Sequence, residues 1–426
     1  MRDLGRGLKV GRANTNRTSP LLVPLIFWVA GTVAIMAGLW RLFVVRRLFL
    51  NGDVGAGRVI AAVHLFTLGG FTMVMMGALY QLVPVLLNTE PVRPRLATIQ
   101  WAVYASGVVT FVVGMNDAST GAIGVGGIGL LLGIGFFVAN VGGRFRLRKT
   151  FNITGWFFGS AIGYLAITLV LGGLLSVRYT SGAPSFGHEL AIHLTVALGG
   201  WFGLLVMGTS YRLWAMFGRK HREPKQWRLT WLLVNLAVVA LVAGDLTSWW
   251  WATLAGWLSQ FAAFVTYVAD IAAAGLFDSR TMRDAALRTV WPGTVFLAMW
   301  EVLGSLALFG HQPRLWIPAL LCYGLGWVGM SFLGFVQKIV PFIIWLHRYA
   351  HVHGQGKMPR LDDIWRPDWA YPPMISATLG MVCLVVGLGI KNVAVFTTGI
   401  VFEILAWLVL AAAGVRAVGG PHQRPE

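Results

Sequence analysis

Apolar residues come in long unbroken runs divided by short polar segments, a pattern unlike the alternation of a strand or the one-sided stripe of a soluble helix. Runs of spanning length fall at roughly 20–43, 59–88, 97–115, 121–140, 153–176, 186–217, 227–246, 248–275, 290–311, 314–345, 373–391 and 394–416. About twenty apolar residues suffice to cross a bilayer as a helix. The pattern therefore predicts an all-α, polytopic membrane protein of twelve transmembrane helices. Composition agrees: of 426 residues 57% are hydrophobic and 12% charged, and the mean hydropathy is +0.69, outside the range of water-soluble domains.

Within this pattern one stretch recurs. Ala61 to Leu87 carries a histidine near its start, two glycines eight residues apart and a Tyr-x-x-x-Pro ending. Gly69 and Gly77, Gly200 and Gly208, and Gly326 and Gly334 all share that spacing, in GGFTMVMMGALYQLVP, GWFGLLVMGTSYRLWA and GWVGMSFLGFVQKIVP. The copies lie on the second, sixth and tenth spans, so the chain reads as three four-helix units, near 20–140, 153–275 and 290–416. All belong to one integral membrane domain, 20–416, between a basic tail at 1–19 and a short tail at 417–426. The first nineteen residues have no apolar core of their own, so no removed signal peptide is expected. The glycine pairs let backbones, or the flat face of a cofactor, approach closely. Pro84 and Pro341 are expected to stop or bend their helices.

The formal charge of +18 raises the question of nucleic acid, but the basic residues sit in short loops between spans. Arg93 and Arg95, Arg144 to Lys149, Arg219 to Arg228, Arg280 to Arg288 and Arg348 to Arg366 fill the even-numbered loops, with Arg46, Arg47 and Arg58 as the main exception. The charge is a topology signal that places both termini in the cytoplasm of a cell-membrane protein; no nucleic-acid partner is expected. Cys322 and Cys383 lie inside apolar runs, which argues against a disulfide framework or thiolate cluster.

Three four-helix units with a glycine-rich, histidine-bearing second helix resemble the catalytic subunit of the heme-copper oxidase superfamily, which includes the cytochrome c oxidases and nitric oxide reductases. The local likeness is to the tenth helix of the C-type oxidases and nitric oxide reductases, which reads His-x-His, Gly-Trp, then Gly-x-x-Tyr-x-x-x-Pro. His64 stands at the second histidine position, with Gly69, Gly77, Tyr80 and Pro84 following and Ala62 at the first position. His193 stands at the first position on the sixth span, with Thr195, Gly200, Trp201, Gly208 and Tyr211. The tenth span keeps Gly326, Trp327, Gly334 and Pro341 but has Ala319 and Leu321 in place of histidines. The chain is also similar to NnrS-type haem membrane proteins. The resemblance implies haem, of b-type, and a larger respiratory assembly with other membrane subunits or a cytochrome. It also implies a missing copper site, because the seventh span has no histidine; copper is without support. The expected activity is electron transfer or binding of a gas ligand such as oxygen or nitric oxide, rather than complete oxidase chemistry. A metal-free structural subunit and a proton-coupled transporter are the competing classes.

Intramembrane imidazole is costly to leave without a partner and is the commonest haem ligand, so His64 and His193 lead the candidates; a hydrogen bond to a neighbouring helix is the bland reading of each. Gly69 and Gly200 would admit the cofactor face. His188, five residues before His193 and so about 500° away round a helix, is open to a role toward a haem propionate or metal, or to being a solvated helix end. Glu301 and Glu403, near the middle of the ninth and twelfth spans, are proton-path candidates or structural hydrogen-bond partners. Snorkelling accounts for Asp270, Lys338 and Arg212; packing accounts for Tyr80 and Tyr211; and Trp249 to Trp251 suit a membrane interface. His347 and His351 form an i, i+4 pair that, with His353, has metal-binding spacing.

Overall fold

A computed structural model describes residues 19–87, 89–146, 152–182, 187–217, 224–277, 284–349 and 359–420. Among them twelve helices are long and apolar enough to cross a membrane, and none of these residues forms a strand. They are α1 (Leu22–Asn51), α2 (Gly57–Leu87), α3 (Pro94–Asp117), α4 (Thr120–Phe145), α5 (Ile153–Thr180), α6 (Gly187–Phe217), α7 (Trp227–Thr247), α8 (Trp250–Ala274), α9 (Ala286–Leu308), α10 (Pro313–Arg348), α11 (Pro367–Gly389) and α12 (Val393–Gly419). Each matches one run of the sequence. The main difference is that α1 continues past residue 43 to Asn51, so Arg46 and Arg47 lie in its last turns. Arg46 sits over the Phe43 ring, 4.3 Å from its centroid. Pro84 and Pro341 lie inside α2 and α10 rather than ending them. A proline forfeits only one backbone bond, which the continuing helix tolerates.

The chain divides into two compact units, one of residues 1–74 and 276–426, the other of residues 75–275. In the first, α1 packs on the opening half of α2 and on α12. Phe49 stacks on Phe396 at 5.8 Å, and Phe71 of α2 meets Phe332 of α10 at 5.1 Å. The second unit holds the closing part of α2 and α3 to α8.

Three antiparallel hairpins, α3/α4, α7/α8 and α11/α12, share one turn. Ala118, Ser248 and Lys391 adopt left-handed backbone at φ 52°, 55° and 53°, and the next residue, Ser119, Trp249 or Asn392, is extended and caps the following helix. Asn392 Oδ1 accepts the amides of Ala394 and Val395, each at 3.0 Å. The paired helices meet backbone to backbone. A Cβ placed at Gly107 would lie 2.7 Å from the Leu130 amide nitrogen, at Gly256 2.8 Å from that of Leu241, and at Gly399 2.8 Å from the Gly380 oxygen. Without water in the hydrocarbon to drive association, such close contact is the main source of helix pairing. The tip of the α7/α8 hairpin carries Trp249, Trp250 and Trp251, all exposed, as interfacial tryptophans are expected to be.

This packing gives two glycine substitutions opposite signs. Gly107→Ala forces α3 and α4 apart and should lower stability by about 1–3 kcal/mol. Gly124→Ala, whose Cβ meets nothing within 4 Å, should be neutral or stabilising by up to about 1 kcal/mol. Thermal unfolding in detergent compares them, and equal shifts would contradict glycine-mediated hairpin packing.

Candidate functional site

The helices α2, α6 and α10 leave α geometry in one defined place. Each contains eight residues of π-helix, Leu65–Thr72, Val196–Gly203 and Cys322–Gly329. Every segment begins four residues before the first glycine of the repeated motif and ends three after it. In a π turn the amide bonds to the carbonyl five residues back, which widens the helix, and such turns are rare and frequent at functional sites. Each widened segment rests on the helix that precedes it in the chain. Tyr164 of α5 lies against Gly200 and Phe296 of α9 against Gly326, so closely that a Cβ at either glycine would collide. In α2 the neighbouring Gly70 takes this role against Ile35 of α1. Gly69 and Gly200 are both buried.

The two leading histidines stand at the entrance to these segments. His64 is the residue immediately before the α2 segment, half-buried, with Nδ1 donating to the Ile60 carbonyl at 2.8 Å. A carbonyl can only accept, so this contact puts the proton on Nδ1 and the lone pair on Nε2. His193 stands three residues before the α6 segment, and its ring lies against Gly172 of α5, where a Cβ would be 3.3 Å from the imidazole Cε1. His188 is exposed and within electrostatic reach of Asp245 on α7. Next to it, Glu189 pairs with Arg178 at 2.6 Å. His64 belongs to the first compact unit, His188 and His193 to the second. Among the described residues no group of three or more His, Cys, Asp or Glu side chains is arranged to hold a metal ion.

Both intramembrane glutamates are buried, Glu301 at 3% and Glu403 at 2% exposure. Glu301 interacts with Tyr323, which belongs to the α10 π segment and makes edge contacts with Trp300 at 5.2 Å and Trp327 at 5.1 Å. Glu403 lies over Gly380, where a Cβ would stand 3.1 Å from its Cγ, and its Oε1 has no hydrogen-bond partner among the described residues.

Sequence reasoning missed a pair of polar networks. The Tyr80 hydroxyl donates to Gln100 Oε1 at 3.3 Å, and Asn140 Oδ1 accepts the Arg93 amide at 3.0 Å while its amide donates back to the Arg93 carbonyl at 3.1 Å. At the matching positions Tyr211 donates to Thr230 Oγ1 at 2.9 Å, and Asp270 accepts the amides of Lys225 and Gln226, each at 3.0 Å. Tyr80 and Tyr211 both stand eleven residues after the motif glycine, and Asn140 and Asp270 both stand twenty-two after the hairpin turn residue. That shared register was available in the sequence. These tyrosines are therefore hydrogen-bonded as well as packed. Asp270 does not snorkel: it is 4% exposed and satisfies amides at the start of α7 that the helix itself cannot. Lys338 is likewise held inward by Asp284 at 2.5 Å, whereas Arg212 is exposed. His347 contacts the carbonyls of Ile343 and Ser19 with its two ring nitrogens, at 2.9 and 2.8 Å, so a backbone partner stands at each nitrogen. His351 and His353 lie outside the described residues.

No protein-family model and no curated protein matches the chain.

The networks should separate in their energetics. Asp270→Ala leaves two helix-start amides without their acceptor and should cost about 1–3 kcal/mol, whereas Tyr211→Phe removes one hydrogen bond and should cost about 1 kcal/mol. Chemical or thermal unfolding of the two variants tests this ranking.

Proposed function

We propose that the protein is a haem-binding redox subunit of the cell membrane, with both termini cytoplasmic and three four-helix units, related to heme-copper oxidase subunit I. The observation that carries this reading is the recurrence of one π-helical segment at one register in α2, α6 and α10, with a histidine at its entrance in two of the three. His64 and His193 are the proposed ligands. The donor chemistry fits: Nδ1 of His64 donates to the Ile60 carbonyl, a hydrogen bond of the kind that orients an imidazole and raises the basicity of Nε2. At His193 the glycine at position 172 leaves the ring room beside α5, and the widened, glycine-rich backbone from 196 to 203 gives a planar group close access.

Haem bound by these residues would carry single electrons or hold a diatomic gas. The chain's own contribution would be to orient the imidazoles, exclude water through the aromatic and aliphatic packing around α2 and α6, and offer Glu301 and Glu403 as proton-accepting groups within the hydrocarbon. No copper-binding role is assigned. A respiratory assembly containing a cytochrome or further membrane subunits is the setting this reading implies.

A reduced-minus-oxidised optical spectrum of protein expressed with sufficient haem tests the proposal. Wild type should show a b-type haem band, His64→Ala or His193→Ala should lose at least half of it, and Glu301→Gln should keep it. A flat wild-type spectrum overturns the proposal in favour of a metal-free structural subunit, and a band unchanged in both histidine variants overturns the ligand assignment.

A further inference from the structure

His347 stands on the last turn of α10, half-buried, and a backbone carbonyl lies at each of its ring nitrogens. Nδ1 is 2.9 Å from the oxygen of Ile343, one turn back on the same helix. Nε2 is 2.8 Å from the oxygen of Ser19, a buried residue just before α1. Both partners belong with His347 to the first compact unit. The Val23 amide bonds the Pro20 carbonyl at 3.0 Å and the Leu25 amide bonds that of Leu21 at 3.3 Å, so the ladder of α1 begins after Ser19.

A carbonyl oxygen only accepts, and a neutral imidazole carries a single N–H. Either neutral tautomer would therefore set a ring lone pair against a carbonyl lone pair at one of the two contacts. The imidazolium has two N–H groups and satisfies both, with bonds of the stronger, charge-assisted kind. The two partners respond differently to loss of a proton. The Ile343 oxygen is fixed in the same helix as the ring, whereas Ser19 is 328 positions away in the chain and can part from it.

The charged groups on the surrounding elements supply no carboxylate to this ring. On α10 itself Arg348 donates to the Val418 carbonyl at 2.6 Å, and Lys338 pairs with Asp284. Arg416 of α12 lies over the Trp369 ring and Arg288 over that of Tyr371. Asp363 accepts the Arg360 amide at 2.7 Å, Asp368 pairs with Arg366 at 3.4 Å, and Asp362 is exposed. The first charged residue of α1 is Arg41, some twenty positions beyond Ser19. His347 makes no ion pair among the described residues, so carbonyls rather than an acid hold its charge.

We propose that His347 is a pH-operated latch: as the imidazolium it fastens the start of α1 to the end of α10 through the Ser19 carbonyl, and on losing a proton it lets that contact go. Histidine is the side chain whose ordinary titration falls in the physiological range. The latch is closed on the acid side and opens as pH rises. It rests on the proposed topology only for the compartment it senses, the cytoplasm; in detergent both faces meet the same buffer, so its test is independent of orientation and of haem.

Hydrogen exchange followed by mass spectrometry on the full-length protein in detergent, at about pH 5 and about pH 8 with rates corrected for intrinsic exchange, tests it. The first amides of α1, Val23 to Leu25, should be about tenfold better protected at the lower pH, the effect of one charge-assisted hydrogen bond. His347→Leu should show the weaker protection at both pH values. The start of α5, capped by Asn152, should be protected equally at both in either protein, which separates a local latch from general unfolding. The double variant His351→Leu/His353→Leu should keep the wild-type pH dependence. Equal protection of the α1 amides at both pH values in wild type, a pH dependence that survives in His347→Leu, or one that vanishes in the double variant would each overturn the proposal.

Discussion

In hydrocarbon every backbone amide must find its acceptor within the protein, and the regular and irregular features of this chain both follow from that demand. Continuous helix meets it for most of each span. Where the helix has to widen, a π turn meets it as well, because each amide still bonds a carbonyl, one residue further back than usual. The three π segments are therefore a way of changing the shape of a membrane helix without stranding a polar group. Where a helix starts, the amides with no carbonyl behind them are met by side chains from the partner of the hairpin: Asn140 for the start of α3 and Asp270 for the start of α7. A carboxylate buried near a helix start, which reads as a liability in sequence, is on this view part of the anchoring of the hairpin.

The twelve spans were legible because a single physical quantity, apolar length against bilayer thickness, decides them. Their ends were less so. The α1 helix runs on through Arg46 and Arg47 because hydrogen bonding, unlike hydropathy, does not stop at the edge of the hydrocarbon. The glycine repeat pointed to α2, α6 and α10, yet the π geometry inside it left no compositional mark beyond the glycines themselves, since the bond pattern depends on backbone shape rather than residue type. The Tyr80 and Tyr211 networks were hidden for another reason. Their members come from three different helices, and only the doubled spacing between repeats betrays them.

The candidate site shows the same division. The positions of His64 and His193 relative to the motif glycines could be read directly, and both now stand just ahead of a widened turn. What the sequence could not supply was the state of the ring. The contact from Nδ1 of His64 to Ile60 reaches back one helical turn, and it turns a generic intramembrane histidine into one whose remaining nitrogen has a defined character.

The third copy argues that a repeated backbone does not carry a repeated role. At the registers of His64 and His193 it has Leu321 and Ala319, so its π segment can offer no imidazole. It carries Tyr323 instead, beside Glu301 and between Trp300 and Trp327. The widened turn is thus common to all three copies, while the polar group set next to it changes from histidine to an acid and a phenol. A geometry that survives the loss of its histidines has a value of its own: it brings glycine backbone against the preceding helix, Phe296 on Gly326 as Tyr164 on Gly200. The packing came with the fold, and any cofactor chemistry at α2 and α6 would be an addition to it made by two side chains.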